Sequence, residues 1–462
     1  MNQYQSALST RYGSQAMREL FSDHNKYKQW RRCWLALAKA QQQLGLDISD
    51  AQINQLETHL DDIDLATAAH YEEKFQHDVM AQLYTYADQA PLAKGILHLG
   101  ATSAFVSDNG ELLSQFEAMN ILSNKLTDII TQLAKQANSY ASMATVGFTH
   151  YQHAQPTTLG KRLALYLQDF VSDMDHMMLW IDSLKLRGAK GTTGSQASFL
   201  ALFDQDHKKV EQLDQLIAQH LNMKETYVIT GQTYPRKQDS ITLNILSGLA
   251  QSAHKFAVDF RLMQHDGIVS EPFGTHQIGS SAMAYKRNPI LSEKICGLSR
   301  KVMIDALNGP MTAANQWLER SLDDSSNRRL VLAEAFIIVD EILISTLKVI
   351  EGMIVYPNKI SDQLNQYLPF LATEPLLMAI VNKGGDRQVW HEHIRQQSMQ
   401  VIQSQQDPVQ LIKHLKEIAG FPLSDDEVNH IMQPSQFVGL AQQQTQTYIE
   451  SIKHYVKESY YD

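Results

Sequence analysis

The chain has 462 residues, 44% of them hydrophobic and 19% charged, which is enough to bury more than one core. A formal net charge of -10 excludes a general nucleic-acid-binding surface but leaves room for a local basic pocket. The two cysteines, Cys33 and Cys296, exclude a disulfide framework and a CxxC zinc pair, and "MNQYQSALSTRYGS" lacks the features of a secretory leader, so a cytoplasmic protein is expected.

The first hundred residues are mainly helical, with "NKYKQWRRCWLALAKAQQQLGL" as the clearest helix. Beyond a polar segment, Leu112, Phe116, Met119, Leu122, Leu126, Ile129, Leu133 and Ala137 recur at steps of three and four, one face of a long helix. Pro156 is expected in a polar loop, after which Leu163, Leu167, Phe170, Met174, Met177, Ile181 and Leu184 mark a second such helix. A third runs from about Ile241 to Met263, preceded by a polar loop holding Pro235. A fourth begins near Glu293 and continues beyond Ala306, with a bend expected near Gly309 and Pro310.

The fifth, "RRLVLAEAFIIVDEILISTLKVIEGMIV", is apolar around most of its circumference and needs more than one neighbour. Glu334, Asp340, Glu341 and Lys348 interrupt its apolar run and argue against a membrane span. Pro357 marks a boundary, and further prolines break the remainder into shorter helices of a separate domain. The expected fold class is all-α, and a bundle packed inside an oligomer would bury the surplus apolar surface.

Four polar segments interrupt the helices: "HDVMAQLYTYADQAPLAKGILHLGATSAFVSDN", "GFTHYQHAQPTTLGKR", "GAKGTTGSQASF" and "QIGSSAMAYKRNPI". His150, in a polar turn, suits a general acid because its charge changes near neutral pH; taken alone it reads more readily as a structural or surface histidine. A serine of the fourth segment can act as a base only if its alkoxide is stabilised, and neighbouring loop N–H groups and Lys286 are the available donors. The plainer reading is a solvated loop. Arg320, Ser325 and Arg329 in "ERSLDDSSNRR", with Arg11 and Tyr12 in "TRYGS", form surface salt bridges or grip a carboxylate or phosphate. There is no Walker loop, no dinucleotide fingerprint and no Gly-x-Ser-x-Gly elbow, and "HEH" at His391 to His393 lacks the spacing of a helical zinc pair. Neither a metal nor a cofactor is expected.

"GSSAMAYKRNP" resembles the GSSxMPxKxNP signature of the fumarase/aspartase superfamily of lyases, and "HLGATSAFVSDN", "GFTHYQHAQPTTLGKR" and "KGTTGSQASF" resemble its other motif regions. "STRYGSQAM", "TGQTYPRK", "QWLERSLDDSSNRR" and "GGDRQVWHEHIR" extend the likeness over essentially the whole chain, specifically to the adenylosuccinate lyase family. The resemblance implies a helical N-terminal domain over residues 1–103, a central bundle of five long helices with the signature loop over 104–356, and a helical C-terminal domain over 357–462. It also implies a homotetramer whose sites are shared between subunits, with no nucleic-acid or membrane partner. The implied substrates are adenylosuccinate, giving AMP, and the succinyl-aminoimidazole carboxamide ribotide SAICAR, giving AICAR, each by elimination of fumarate.

On this resemblance Ser280 is the base and His150 the acid, with His77 orienting the substrate or supporting the acid, and Lys286 and Asn288 meeting the developing carboxylate charge. Ser281 contacts a carboxylate; Arg11, Tyr12, Arg320, Ser325 and Arg329 grip the nucleotide end. Thr102, Ser103, Thr149 and Gln232 hold the succinyl part, and Gln76 and Asp78 line the same pocket. Ala284 stands where the signature has proline, and Lys294 where an arginine of the nucleotide site is expected, which keeps the charge but loses the bidentate fork. Other lyases of the superfamily and a non-enzymatic helical scaffold are the competing readings; a scaffold does not need Ser280, His150 and Lys286 together.

Overall fold

The computed structural model describes residues 4–434 and 437–457. Among the described residues the fold is all-α apart from two small two-stranded sheets. In chain order, the elements that matter to the site are α1 Asp23–Gln43, α2 Asp78–Gln89, α3 Ser103–Ser139, β1 Ala144–Thr149, β2 Gln152–Thr158, α4 Leu159–Ser183, α5 Lys237–His265, β3 Val269–Ser270, α6 Ile290–Asp305, α7 Asn308–Ala314, α8 Asp323–Glu351, β4 Ile354–Val355 and α9 Pro357–Leu371. The long helices fall where their periodicity predicts. The apolar face of α3 is buried at each of Leu112, Met119, Leu122, Leu126, Ile129, Leu133 and Ala137, and that of α4 at Leu163, Leu167, Phe170, Met174 and Met177.

Two expectations are corrected. The break after the fourth long helix falls at residues 306–307, before Gly309 and Pro310, so the proline sits in the first turn of α7, where a missing N–H costs nothing. Pro156 is in no loop: it is buried in β2 opposite Val146. A two-stranded ribbon has only edges, so a residue without an N–H is tolerated there.

The chain divides into two compact units. The first contains the residues up to Lys125, Asp173–Ala253 and Cys296–Ile344. Trp34, Phe105, Phe199 and Phe336 are fully buried in it. Phe336 stacks on Phe21 at 5.5 Å between centroids. Ser22 starts α1 by accepting from the Asn25 N–H at 3.2 Å, and Trp30, Cys33, Trp34 and Leu37 follow at helical spacing on the buried face.

A lattice of buried charges runs through this unit. Arg236 donates to both oxygens of Asp108, the shorter contact being 3.1 Å, and to Asp324 at 2.5 Å. Arg328 donates to Asp239 at 2.6 Å and Glu111 at 2.9 Å, and also to the Tyr234 hydroxyl. Burial opposes the charge on Arg328, but the surrounding carboxylates outweigh it and raise its pKa well above the ordinary arginine value. Such a lattice adds little net stability over an apolar core, yet removing one member leaves its partners as uncompensated buried charges.

The second unit contains Leu126–Ser172, His254–Ile295 and the residues from Ser345 onward. Its C-terminal helices, Thr373–Asn382, Arg387–Gln403, Gln410–Lys416 and Asp425–Ile431, close on Leu376, Ile380, Trp390, Val401, Leu411 and Val428. Val146 of β1 packs with Leu364 and Leu371 of α9. β3 and β4 pair antiparallel, Val269 with Val355 and Ser270 with Ile354.

Candidate active site

In the first unit, α2 begins at His77, which serves as its cap by accepting from the Met80 N–H at 3.4 Å through Nδ1. The other ring nitrogen lies 3.4 Å from the Ser103 hydroxyl at the start of α3. Gln76 precedes it in the left-handed region, φ 52°, ending the helix before α2 and turning the chain sharply. Asp78 accepts from Arg329 of α8 at 3.1 Å. His77, Asp78, Ser103 and Arg329 therefore form one partly exposed cluster, built from three helix N-terminal segments.

Gln232 is held on its backbone and by its side chain. Its N–H donates to the Glu319 carbonyl at 3.0 Å, its carbonyl accepts from the buried Arg187 at 2.6 Å, and its side-chain oxygen accepts from Arg320 at 2.7 Å. The Arg320 Nε–H and the Thr102 hydroxyl are each buried without a protein hydrogen-bond partner. Arg328, next to Arg329 in sequence, faces inward to the charge lattice while Arg329 faces outward. Ser325 lies half-buried one turn before Arg329 on α8.

Further along that helix, Asp340 accepts from the Ser14 N–H at 2.6 Å and also pairs with Lys125, and Glu341 accepts from the Gly13 N–H at 2.9 Å. These charges, which in the sequence only counted against a membrane span, hold the segment bearing Arg11 and Tyr12 against α8. The segment meets the helix 11 residues beyond Arg329, about 16 Å along its axis.

His98 belongs to the first polar segment, where the sequence gives it no role. Its Nδ1 accepts from the Trp34 indole N–H at 2.9 Å, so the ring is held neutral at that nitrogen. Burial, with the charge of His77 as the lesser cause, pushes its pKa down to about 4.

In the second unit the segment "GFTHYQHAQPTT" is a β-hairpin. Thr149 pairs with Gln152, leaving His150 and Tyr151 as a two-residue turn with φ of 52° and 57°. This is the primed turn that matches strand twist and favours Asn and Gly; histidine and tyrosine there hold local strain. His150 is presented exposed at the hairpin tip. A bulge between Val146 and Phe148 is possible because Gly147 lacks a Cβ, which would fall 2.4 Å from the Gln155 carbonyl.

Ser280 lies half-buried in the loop between β3 and α6. Its hydroxyl oxygen accepts from the Met283 N–H at 3.1 Å and the Ala282 N–H at 3.3 Å. Asn288 donates to the Gly279 carbonyl at 2.9 Å, closing the segment from 279 to 288 into a ring. Gly279 is required by this closure: a Cβ would lie 2.1 Å from the Lys286 carbonyl. Ser281, Ala284 and Lys286 are exposed, and Lys294 is half-buried in α6.

A sequence profile described as lyase matches residues 8–304, and one described as adenylosuccinate lyase C-terminus matches residues 369–448. Adenylosuccinate lyase of Schizosaccharomyces pombe is 44% identical over 96% of this chain and 94% of its own. That of Saccharomyces cerevisiae is 42% identical over 97% of this chain and 94% of its own. The chain belongs to the adenylosuccinate lyase family. Among solved structures, 3-carboxy-cis,cis-muconate lactonizing enzyme from Pseudomonas putida matches 97% of this chain and 99% of its own with a TM-score of 0.84 at 21% identity. Fumarate lyase from Mesorhizobium sp. BNC1 matches 97% and 99% with a TM-score of 0.83 at 20% identity. At such identities the likeness is one of fold. Among the described residues no helix is long and apolar enough to cross a membrane.

Proposed function

We propose that this chain eliminates fumarate from adenylosuccinate, releasing AMP, and from SAICAR, releasing AICAR. The reading rests on membership of a family whose relatives, similar over nearly their whole length, carry the name adenylosuccinate lyase. It also rests on the surroundings of Ser280. Two backbone N–H groups already point at the serine oxygen, and such donors stabilise a negative oxygen more than a neutral one. A serine that must be an alkoxide to act as a base needs this arrangement.

In the proposed reaction Ser280 takes a proton from the carbon beta to the departing nitrogen. The electron pair moves toward the adjacent carboxylate as an aci-carboxylate, whose charge is met by Lys286 and Asn288 with Ser281 as neighbour. The carbon–nitrogen bond then breaks, its electrons stay on nitrogen, and His150 supplies the proton to that atom. His77 orients the substrate. Arg11, Tyr12, Arg320, Ser325, Arg329 and Lys294 serve the nucleotide end, while Gln76, Asp78, Thr102, Ser103, Thr149 and Gln232 serve the succinyl part.

The reading includes a homotetramer in the cytoplasm whose sites draw residues from several subunits. The organisation proposed is an N-terminal domain to residue 103, a central bundle to 356 and a C-terminal domain beyond. The test is direct: fumarate release from each substrate, with argininosuccinate and aspartate as comparators. Turnover of adenylosuccinate above both comparators is expected; release from a comparator alone would overturn the assignment.

A further inference from the structure

The loop that carries Ser280 runs from Pro272 to Pro289 and is mostly exposed over residues 281–287. An exposed segment of that length needs something to fix its ends if a side chain in it is to be held where a proton must be taken. Its first end is fixed by the backbone: β3 pairs with β4, and the Tyr356 N–H donates to the Ile268 carbonyl at 3.0 Å. Its second end is fixed by Glu271, a buried carboxylate. Glu271 accepts from the N–H groups of Leu291 at 3.0 Å and Ser292 at 2.6 Å, and from the Ser292 hydroxyl at 2.6 Å, at the start of α6.

One side chain joins the two ends. Gln264, on the last turn of α5, accepts from the Glu271 N–H through Oε1 at 3.1 Å and donates to the Arg287 carbonyl through Nε2 at 3.1 Å. An amide is the group that suits both roles, because it carries an acceptor and a donor side by side. A carboxylate offers no donor to the carbonyl, and an apolar side chain offers neither. Arg287 is the last residue before Asn288, whose side chain closes the ring onto Gly279, immediately before Ser280. Arg287 also lies over the Phe273 ring at 5.1 Å, a second tie between the two ends.

We propose that Gln264 is a positioning residue for the proposed base: a latch that ties the two ends of the serine loop together and so holds Ser280 in place. The inference deepens the reading of Ser280 given above and rests on it. Gln264 touches no substrate atom in this scheme; it acts through Arg287, Asn288 and Gly279.

The experiment compares the parent chain with Gln264→Met and Gln264→Glu, as intact purified protein. Trypsin cleavage after Lys286 and Arg287 is followed by mass spectrometry, and kcat and KM for adenylosuccinate are measured alongside the melting temperature. Loss of a hydrogen bond of this kind corresponds to about a five- to tenfold change in the population of the tied loop. Both variants are expected to cleave about five to ten times faster at these two bonds, and kcat is expected to fall by a similar factor with KM changed less than about twofold. Glutamate fails like methionine because it lacks the donor. Cleavage and kcat both within about twofold of the parent would overturn the proposal. So would faster cleavage spread evenly over the chain with a lowered melting temperature, since that marks a general packing role. Ser280→Ala separates the two readings: if it turns over normally, the serine is not the base, whereas the cleavage rates in the Gln264 variants report on the latch whatever the serine does.

Discussion

The two groups of candidate site residues are held by opposite means. In the first unit, Arg329 and Ser325 share α8 with Asp324 and Arg328, members of a largely buried lattice of paired charges with Asp108, Arg236, Asp239 and Glu111. In the second unit, Ser280 rides on an exposed loop fixed by a handful of neutral hydrogen bonds and one buried carboxylate. A buried charge lattice has no cheap alternative arrangement, so what stands on it is rigid. A loop tied by single hydrogen bonds opens at a cost of about 1 kcal/mol for each bond. The two groups of residues therefore differ in what it costs to move them.

The largest effects should come from the chemistry itself. Ser280→Ala and His150→Ala are each expected to lower kcat by about a hundredfold or more, with unchanged helical circular dichroism and unchanged oligomeric mass. Near-normal turnover in either variant removes that residue from the scheme. The next largest effect tests the rigid side. Arg236→Met strands Asp108 and Asp324 in the interior and should cost about 3–5 kcal/mol, read in chemical denaturation. A loss below about 1 kcal/mol would mean that the lattice relaxes or takes up water, and the contrast with the loop would fail.

A smaller, pH-dependent effect belongs to the same unit. His98 has a folded pKa near 4 against about 6.5 when unfolded, so the unfolded chain binds the proton first as pH falls. Its contribution is complete above about pH 6.5 and is lost between 6.5 and 4, at about 1.4 kcal/mol per pH unit. Asparagine tolerates the left-handed backbone at this position, where φ is 63°, so His98→Asn is the suitable comparison. It should flatten the pH dependence of stability across that window, and an unaltered slope would assign the dependence to other groups.

The smallest effect sharpens the loop side. Ala284→Pro restricts the open ensemble, and where the backbone accepts it should favour the ordered loop by less than about 1 kcal/mol. Trypsin cleavage after Lys286 and Arg287 should slow by about two- to fivefold; identical cleavage and kinetics in variant and parent would show that stiffness at residue 284 is immaterial.

The long helices were legible because each carries its own period: an unbroken run of apolar residues at steps of three and four specifies both the helix and its buried face. The polar residue types available in the serine loop were legible too, since "GSSAMAYKRNP" is a continuous string. The hairpin at residues 144–158 was not, because only Val146, Pro156 and a few threonines turn inward and the rest of the segment reads as polar loop. The environment of His98 was not legible for a different reason: its pKa is depressed by burial, and its ring is bonded to Trp34, 64 residues away in the chain. The same holds for Arg328 beside Arg329. In the sequence the two are neighbours of one type, and only packing sends one into the charge lattice and the other to Asp78.

The sequence by itself determined the all-α class, the extent of the long helices, and the chemical types available in each polar segment, because local periodicity and composition act over a few turns of chain. Tertiary structure decided what each polar group touches. It sent Asp340 and Glu341 to the N-terminal segment and brought Gln264 between Glu271 and Arg287. The physical reason is range: apolar spacing is written residue by residue, whereas a hydrogen bond between positions far apart in sequence exists only once packing has brought them together.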